Sequence, residues 1–184
     1  ALSKKEESQD ICFIPNNDYR SFLAQHGVSV PQGEYIDNQG KVLGMHQGFC
    51  HYTIGQRKGL GVAAGEPLYV IKLEHKTGRV IVGPREALKT HTVRLRNVNW
   101  LGSVPLAEAA SGNGAPVEVK VRSTRGPQPG VIQMRDGEVY VTLVTGEYGI
   151  SPGQACVFYV DDSQTSQVLG GGFIAEAVPQ ALVA

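Results

Sequence analysis

The chain has 184 residues and a formal net charge of zero, so no overall field draws in a polyanion and a nucleic-acid partner would need a local basic patch. Apolar residues make up 41% and charged residues 18%, with 23 glycines and 10 prolines; this suits many short strands and turns, in a chain long enough for one large core or two small ones. No apolar run reaches about 18 residues, and the polar start ALSKKEESQD has no signal-peptide core, so the chain reads as soluble and cytoplasmic.

The first chemically interesting stretch is SQDICFIP, Ser8 to Pro15, which places Cys12 in a short apolar run directly after KKEE. A cysteine in such a run is by default a small hydrophobe, and residue pattern alone leaves that reading open beside a nucleophilic one. Asn17 or Asp18 can cap a short helix over Tyr19–His26 that Gly27 would stop. GEYID and KVLGMH flank Asn38-Gln39-Gly40, which predicts a hairpin over Gly33–His46. A second hairpin is expected in PLYVIKLEHKTGRVIVG, turning at Lys76-Thr77-Gly78. Between them HYTIGQRKGLGVAAG is glycine-rich and irregular, a candidate functional loop carrying Gln56, Arg57 and Lys58. It lacks the G-x-x-x-x-G-K-[ST] spacing of a nucleotide-binding loop, so ATP is not expected to bind there.

Beyond Leu88, the segments THTVRLRNVNWLG, PVEVKVRST, GVIQMRDGEVYVTLVT, QACVFYV and SQVLGGGFIAEA are spaced as successive strands of a small barrel or sandwich. SVPLAEAASGNGAP between two of them reads as an exposed connection. Lys120, Arg122 and Arg125 form a basic stretch that serves equally as a solvated strand face or a phosphate track. Cys12, Cys50 and Cys156 are widely spaced with no C-x-x-C, which indicates neither a disulfide framework nor a metal site. Cys156 lies in an apolar strand and Cys50 near a turn without an evident activator, so both read as structural.

The ordered series SQDICFIP, GEYIDNQGKVLGMHQG, HYTIGQRKGLGV, EPLYVIKLE, VIVG, SPGQACVFY and VLGGGFI, from Ser8 to Ile174, resembles the C-terminal part of the tRNA-specific 2-thiouridylases, in older usage tRNA methyltransferases. The resemblance implies a mainly β chain in three pieces. Residues 1–30 would end the catalytic domain, 31–90 would form a small central β-rich domain, and 91–184 a C-terminal β-barrel resembling the second domain of elongation factor Tu. It implies that Cys12 matches the family's second catalytic cysteine, which carries sulfur as a persulfide and can form a disulfide with the first. No S-G-G-x-D-S loop or first catalytic cysteine occurs in these residues, so ATP would be bound by a catalytic domain outside them and the chain alone is expected to be inactive. The resemblance further implies tRNA and a sulfur-donor protein as partners, with neither metal nor membrane. Arg122, Ser123 and Gln154 fall at tRNA-contacting positions, although the family commonly has tyrosine where this chain has Ser123. Gln56, Arg57 and Lys58 are assigned to tRNA or to closing the catalytic pocket. Two other classes stand beside this reading: a free-standing RNA-binding module in which Cys12 is inert, and a β-barrel that binds a protein partner.

Overall fold

The computed structural model describes residues 21–22, 25–27, 31–62, 65–160 and 167–179. Most of the helix expected over Tyr19–His26 lies outside them; within them Ser21, Phe22 and Gln25 are helical and Gly27 has φ 70°. No described helix is long and apolar enough to cross a membrane. The structure is mainly β, with a four-stranded sheet followed by a closed six-stranded barrel.

Both expected hairpins are present in the sheet. β1 (Gly33–Ile36) pairs antiparallel with β2 (Val42–His46), and β3 (Tyr69–Glu74) with β4 (Arg79–Gly83). A parallel β1–β4 pairing joins the hairpins in the order β2-β1-β4-β3. The first turn forms because Asp37 accepts the N–H groups of Gln39 and Lys41 through Oδ1 and Gly40 takes φ 86°, the left-handed backbone for which glycine has no steric penalty. Tyr35, Leu60, Val70, Val80 and Val82 make the small core of this unit.

His46 closes that unit from the side. Its Nε2–H donates to the Gly78 carbonyl at 3.0 Å and its Nδ1 accepts the Gly48 N–H at 3.0 Å, so both nitrogens are engaged and the ring is neutral. Tyr35, Tyr52 and the charge on His51 surround it; burial is the main cause that holds its pKa below the usual 6.5, against the Gly78 bond, which raises it. A depressed histidine pKa means the unfolded chain takes up the proton first, so this contribution to stability is intact above pH 6.5 and is lost as pH falls from there towards the folded-state pKa. We expect the thermal midpoint of the sheet domain to fall on acidification through this window, and the fall to be shallower in a His46→Gln protein; parallel melting curves across pH check it.

The barrel has the order β10-β5-β8-β7-β6-β9 and closes through the β9–β10 pair. Its strands are β5 (Lys89–Trp100), β6 (Ala115–Lys120), β7 (Gln128–Arg135), β8 (Glu138–Tyr148), β9 (Ala155–Tyr159) and β10 (Val168–Pro179), and all six pairings are antiparallel. Alternation sends Val139, Val141 and Leu143 of β8, Val117 and Val119 of β6, and Cys156 and Phe158 of β9 inward, where they meet Ile132 and Ile174. SVPLAEAASGNGAP is the largely exposed connection from β5 to β6 that the sequence suggests, with one added feature. It contains the short helix α1 (Leu106–Ala109), after which Ala110 is fully buried and its carbonyl accepts the Met134 N–H at 2.8 Å. Leu106 and Ala110 thereby cover the end of the barrel core, a tertiary role that small residues in a polar context do not announce.

Candidate nucleic-acid interface

The glycine-rich loop is pinned along β3 before it presents any charge. Gly55 N–H donates to the Val70 carbonyl at 2.8 Å and Val70 N–H to the Gln56 carbonyl at 2.9 Å. The Gln56 amide is engaged within the loop itself, accepting the Thr53 N–H and donating to the Lys58 carbonyl, each at 3.0 Å. Leu60 is anchored in the sheet-domain core, so Arg57 and Lys58 are held between two fixed points with their side chains in solvent. Gln56 thus shapes this loop, and Arg57 and Lys58 are its charged surface.

The other basic segment follows β6. Arg122 is half-buried: its Nη2–H donates to the Gly149 carbonyl at 2.7 Å, while its buried Nε–H has no acceptor among the described residues. Gly149 has φ 65°, and a Cβ placed on it would lie 3.1 Å from Arg122 Nη2, 3.8 Å from Gly55 Cα and 4.0 Å from the Ile54 carbonyl oxygen. Gly149 is therefore the point where the barrel, the Arg122 guanidinium and the glycine-rich loop meet, and its N–H also donates to the Leu88 carbonyl at 3.1 Å. Ser123 and Thr124 are exposed at the turn beyond it.

Two further arginines reach the same end of β8. The Arg125 Nη1 lies 3.3 Å from Oε2 of Glu147, and the Arg85 guanidinium sits 4.9 Å from the centroid of the Tyr148 ring. A hydrogen bond from the Thr145 hydroxyl to Oε1 of Gln128 fastens the start of β7 to β8. Arg85, from the segment after β4, and Arg122 and Arg125, both from the β6–β7 loop, thus meet at Glu147–Gly149, beside the loop that carries Arg57 and Lys58. In a chain with no net charge this gathers three arginines at the end of β8. Arg125 appeared in the sequence only as part of a basic stretch, and Arg85 was not singled out, because the stacking partner that brings it here lies far along the chain.

The remaining sequence candidates are placed as follows. Gln154 is exposed on a tight turn; its Oε1 accepts the Ser151 N–H at 3.1 Å, and its carbonyl accepts the Ile174 N–H at 2.8 Å. Cys156 is fully buried, and burial pushes its thiol pKa up to about 12, as for an inert core cysteine. Cys50 is half-buried with its Sγ 3.6 Å from Nδ1 of His51. Cys12 lies outside the described residues. A cleft of about 810 Å³ separates the sheet from the barrel, but its cations are paired: Arg94 with Glu138 and Glu176, and Lys72 with Glu74.

Comparisons with known proteins point to one family. The profile of the tRNA methyl transferase PRC-barrel domain matches residues 20–84, and that of the aminomethyltransferase beta-barrel domain matches residues 90–174. The proteins of Brucella ovis, Brucella canis and Brucella melitensis named tRNA-specific 2-thiouridylase MnmA are each 51% identical to the chain over 183 residues, 98% of this chain and 46% of the relative. The chain therefore spans about half the length of the curated relatives it matches. The two profiles fall on the sheet and on the barrel, and the identity runs through both: the chain belongs to the tRNA-specific 2-thiouridylase family and carries its central and C-terminal β domains.

Proposed function

We propose that the intact protein containing this chain transfers sulfur to C2 of a tRNA wobble uridine, and that this chain supplies the sulfur-carrying Cys12 and much of the tRNA-binding face. The observation that carries the reading is 51% identity, sustained over 98% of the chain, to relatives named tRNA-specific 2-thiouridylase. The meeting of Arg85, Arg122 and Arg125 at Glu147–Gly149, beside the loop that presents Arg57 and Lys58, supports the second half of it. Backbone-tracking cations fix register on a polyanion, whereas an exposed amide such as Gln154 or a hydroxyl such as Ser123 can bond phosphate, sugar or base edge.

The uridine C2 carbonyl is a poor electrophile, so sulfur attack needs prior activation, for which ATP bound by a domain outside this chain is the expected source. In this reading a sulfur-donor protein leaves a persulfide on Cys12. Its terminal sulfur attacks the activated C2 and AMP departs. The thiolate of the family's other catalytic cysteine then attacks Cys12 Sγ, the S–S bond breaks with its electron pair left on the sulfur bonded to C2, and the enzyme ends as a disulfide that a thiol must reduce. The setting is a soluble enzyme of the cytoplasm.

The tRNA face is tested by affinity against salt in the intact protein. Each phosphate contact adds roughly 0.7 to 0.9 to the log–log slope, so the double change Arg57→Ala with Lys58→Ala should flatten the slope while the melting temperature stays near wild type. Arg122→Ala should weaken binding and also lower the melting temperature, because it removes the bond that ties the β6–β7 loop to Gly149 at the end of β8. Unchanged slopes in both variants would refute the interface.

A further inference from the structure

Among these cations, Arg125 is held differently from the rest. Its side chain is 60% exposed, yet its ion-pair partner Glu147 is only 2% exposed. A carboxylate removed from water requires compensation by a cation and by hydrogen bonds. Glu147 receives the Tyr148 N–H on Oε1 at 2.9 Å and the Arg125 guanidinium on Oε2 at 3.3 Å. Because the acid is fixed inside the barrel wall, the arginine is the partner that is oriented. Nη1 is the guanidinium nitrogen that faces Glu147, and with the side chain 60% exposed the arginine keeps N–H donors for a ligand from solvent.

The geometry points to Arg125 as a contact for a tRNA phosphate, with buried Glu147 as the positioning residue that aims it. This rests on the reading of the face as a tRNA surface and adds a specific pair to it. A guanidinium anchored along one edge loses less rotational freedom on taking a phosphate oxygen with another, so the anchored arginine is the better ligand. The sign of the Glu147 effect separates aiming from plain electrostatics. A negative charge near the RNA repels it, so if only the field mattered, Glu147→Gln would tighten binding. If Glu147 aims Arg125, the same change weakens it.

The test uses the intact protein and unmodified tRNA, with affinity measured at several salt concentrations and melting temperatures recorded alongside. Arg125→Ala is expected to lower the log–log slope by roughly 0.7 to 0.9, so its deficit relative to wild type shrinks about threefold between about 50 and 200 mM salt. Glu147→Gln, which can still accept the Tyr148 N–H, is expected to weaken binding in the same direction, and adding it to Arg125→Ala should change affinity less than roughly twofold further. A wild-type slope in Arg125→Ala would overturn the phosphate contact. Tighter tRNA binding by Glu147→Gln would overturn the aiming role. Should either single variant fail to fold, the double variant, which removes both charges, decides the contact by its slope, and Arg125→Lys decides the aiming: an anchored fork predicts a loss with lysine, a bare charge predicts none. In either of these failures wild-type tRNA binding remains salt-dependent; wild-type protein without salt-dependent tRNA binding would overturn the tRNA reading itself, and this pair with it.

Discussion

Replacing Cys12 by serine in the intact protein should abolish sulfur transfer to tRNA while tRNA affinity and melting temperature stay close to wild type. A hydroxyl at this position cannot form a persulfide, so the sulfur has no carrier, and the loss is of the whole activity. The rival reading makes Cys12 a filler among Ile11, Phe13 and Ile14; the same change would then bury a hydroxyl and cost about 1 to 3 kcal/mol of stability with transfer intact. Cys156→Ser supplies the structural standard. Cys156 sits in the barrel core with no exposed surface, so its serine variant should melt lower and, at temperatures where it is folded, still transfer sulfur. Activity lost without destabilisation marks the carrier, and destabilisation with retained activity marks the filler; the comparison is made by measuring labelled sulfur in tRNA beside melting curves for both variants.

Gly170→Ala should destabilise the barrel by about 3 kcal/mol or more, through backbone strain and overpacking together. Gly170 has φ 138°, a region that side-chain-bearing residues rarely adopt, and a Cβ there would run into the carbonyl oxygen of Asn99 on β5. Its neighbours are confined in the same way. A Cβ on Gly171 would lie 2.7 Å from the Cys156 carbonyl oxygen on β9, and one on Gly172 would lie 2.9 Å from Val98 and 3.1 Å from the Arg96 carbonyl oxygen on β5. The three glycines of VLGGGFI therefore let β10 close the barrel with its backbone pressed between β5 and β9. For a domain of this size a loss of 3 kcal/mol lowers the thermal midpoint by more than about 10 °C, readily seen by circular dichroism. Gly126→Ala, in open space on the β6–β7 loop and without positive φ, should leave the midpoint near wild type.

Those glycines show what was legible from sequence and what was not. Period-two alternation located both hairpins and the barrel strands, because one face of each strand is buried and the pattern must repeat to fill it. The irregular loop of Arg57 and Lys58 was legible for the opposite reason: nothing periodic explains it. Helix α1 was missed because its four residues carry no full helical period, and Ala110 is buried only through contacts with distant strands. Arg122 was visible as a charge, but its bond to Gly149 depends on the β6–β7 loop folding back over the end of β8. The Arg125–Glu147 and Arg85–Tyr148 pairs were invisible for the same reason, since partner choice there is set by barrel closure. Cys12 was singled out by resemblance, as its apolar neighbours alone favour the inert reading.

Sulfur carriage is tested most directly by a single-turnover chase in the intact protein. The persulfide is loaded onto the enzyme with labelled sulfur, excess donor is removed, the labelled cysteine is identified by mass spectrometry, and tRNA is added with ATP. The account predicts label on Cys12 that passes to 2-thiouridine in at most one equivalent per enzyme, and no transfer from the Cys12→Ser protein. Label that resides on Cys50, or thiolation that proceeds in the Cys12→Ser protein, would contradict it.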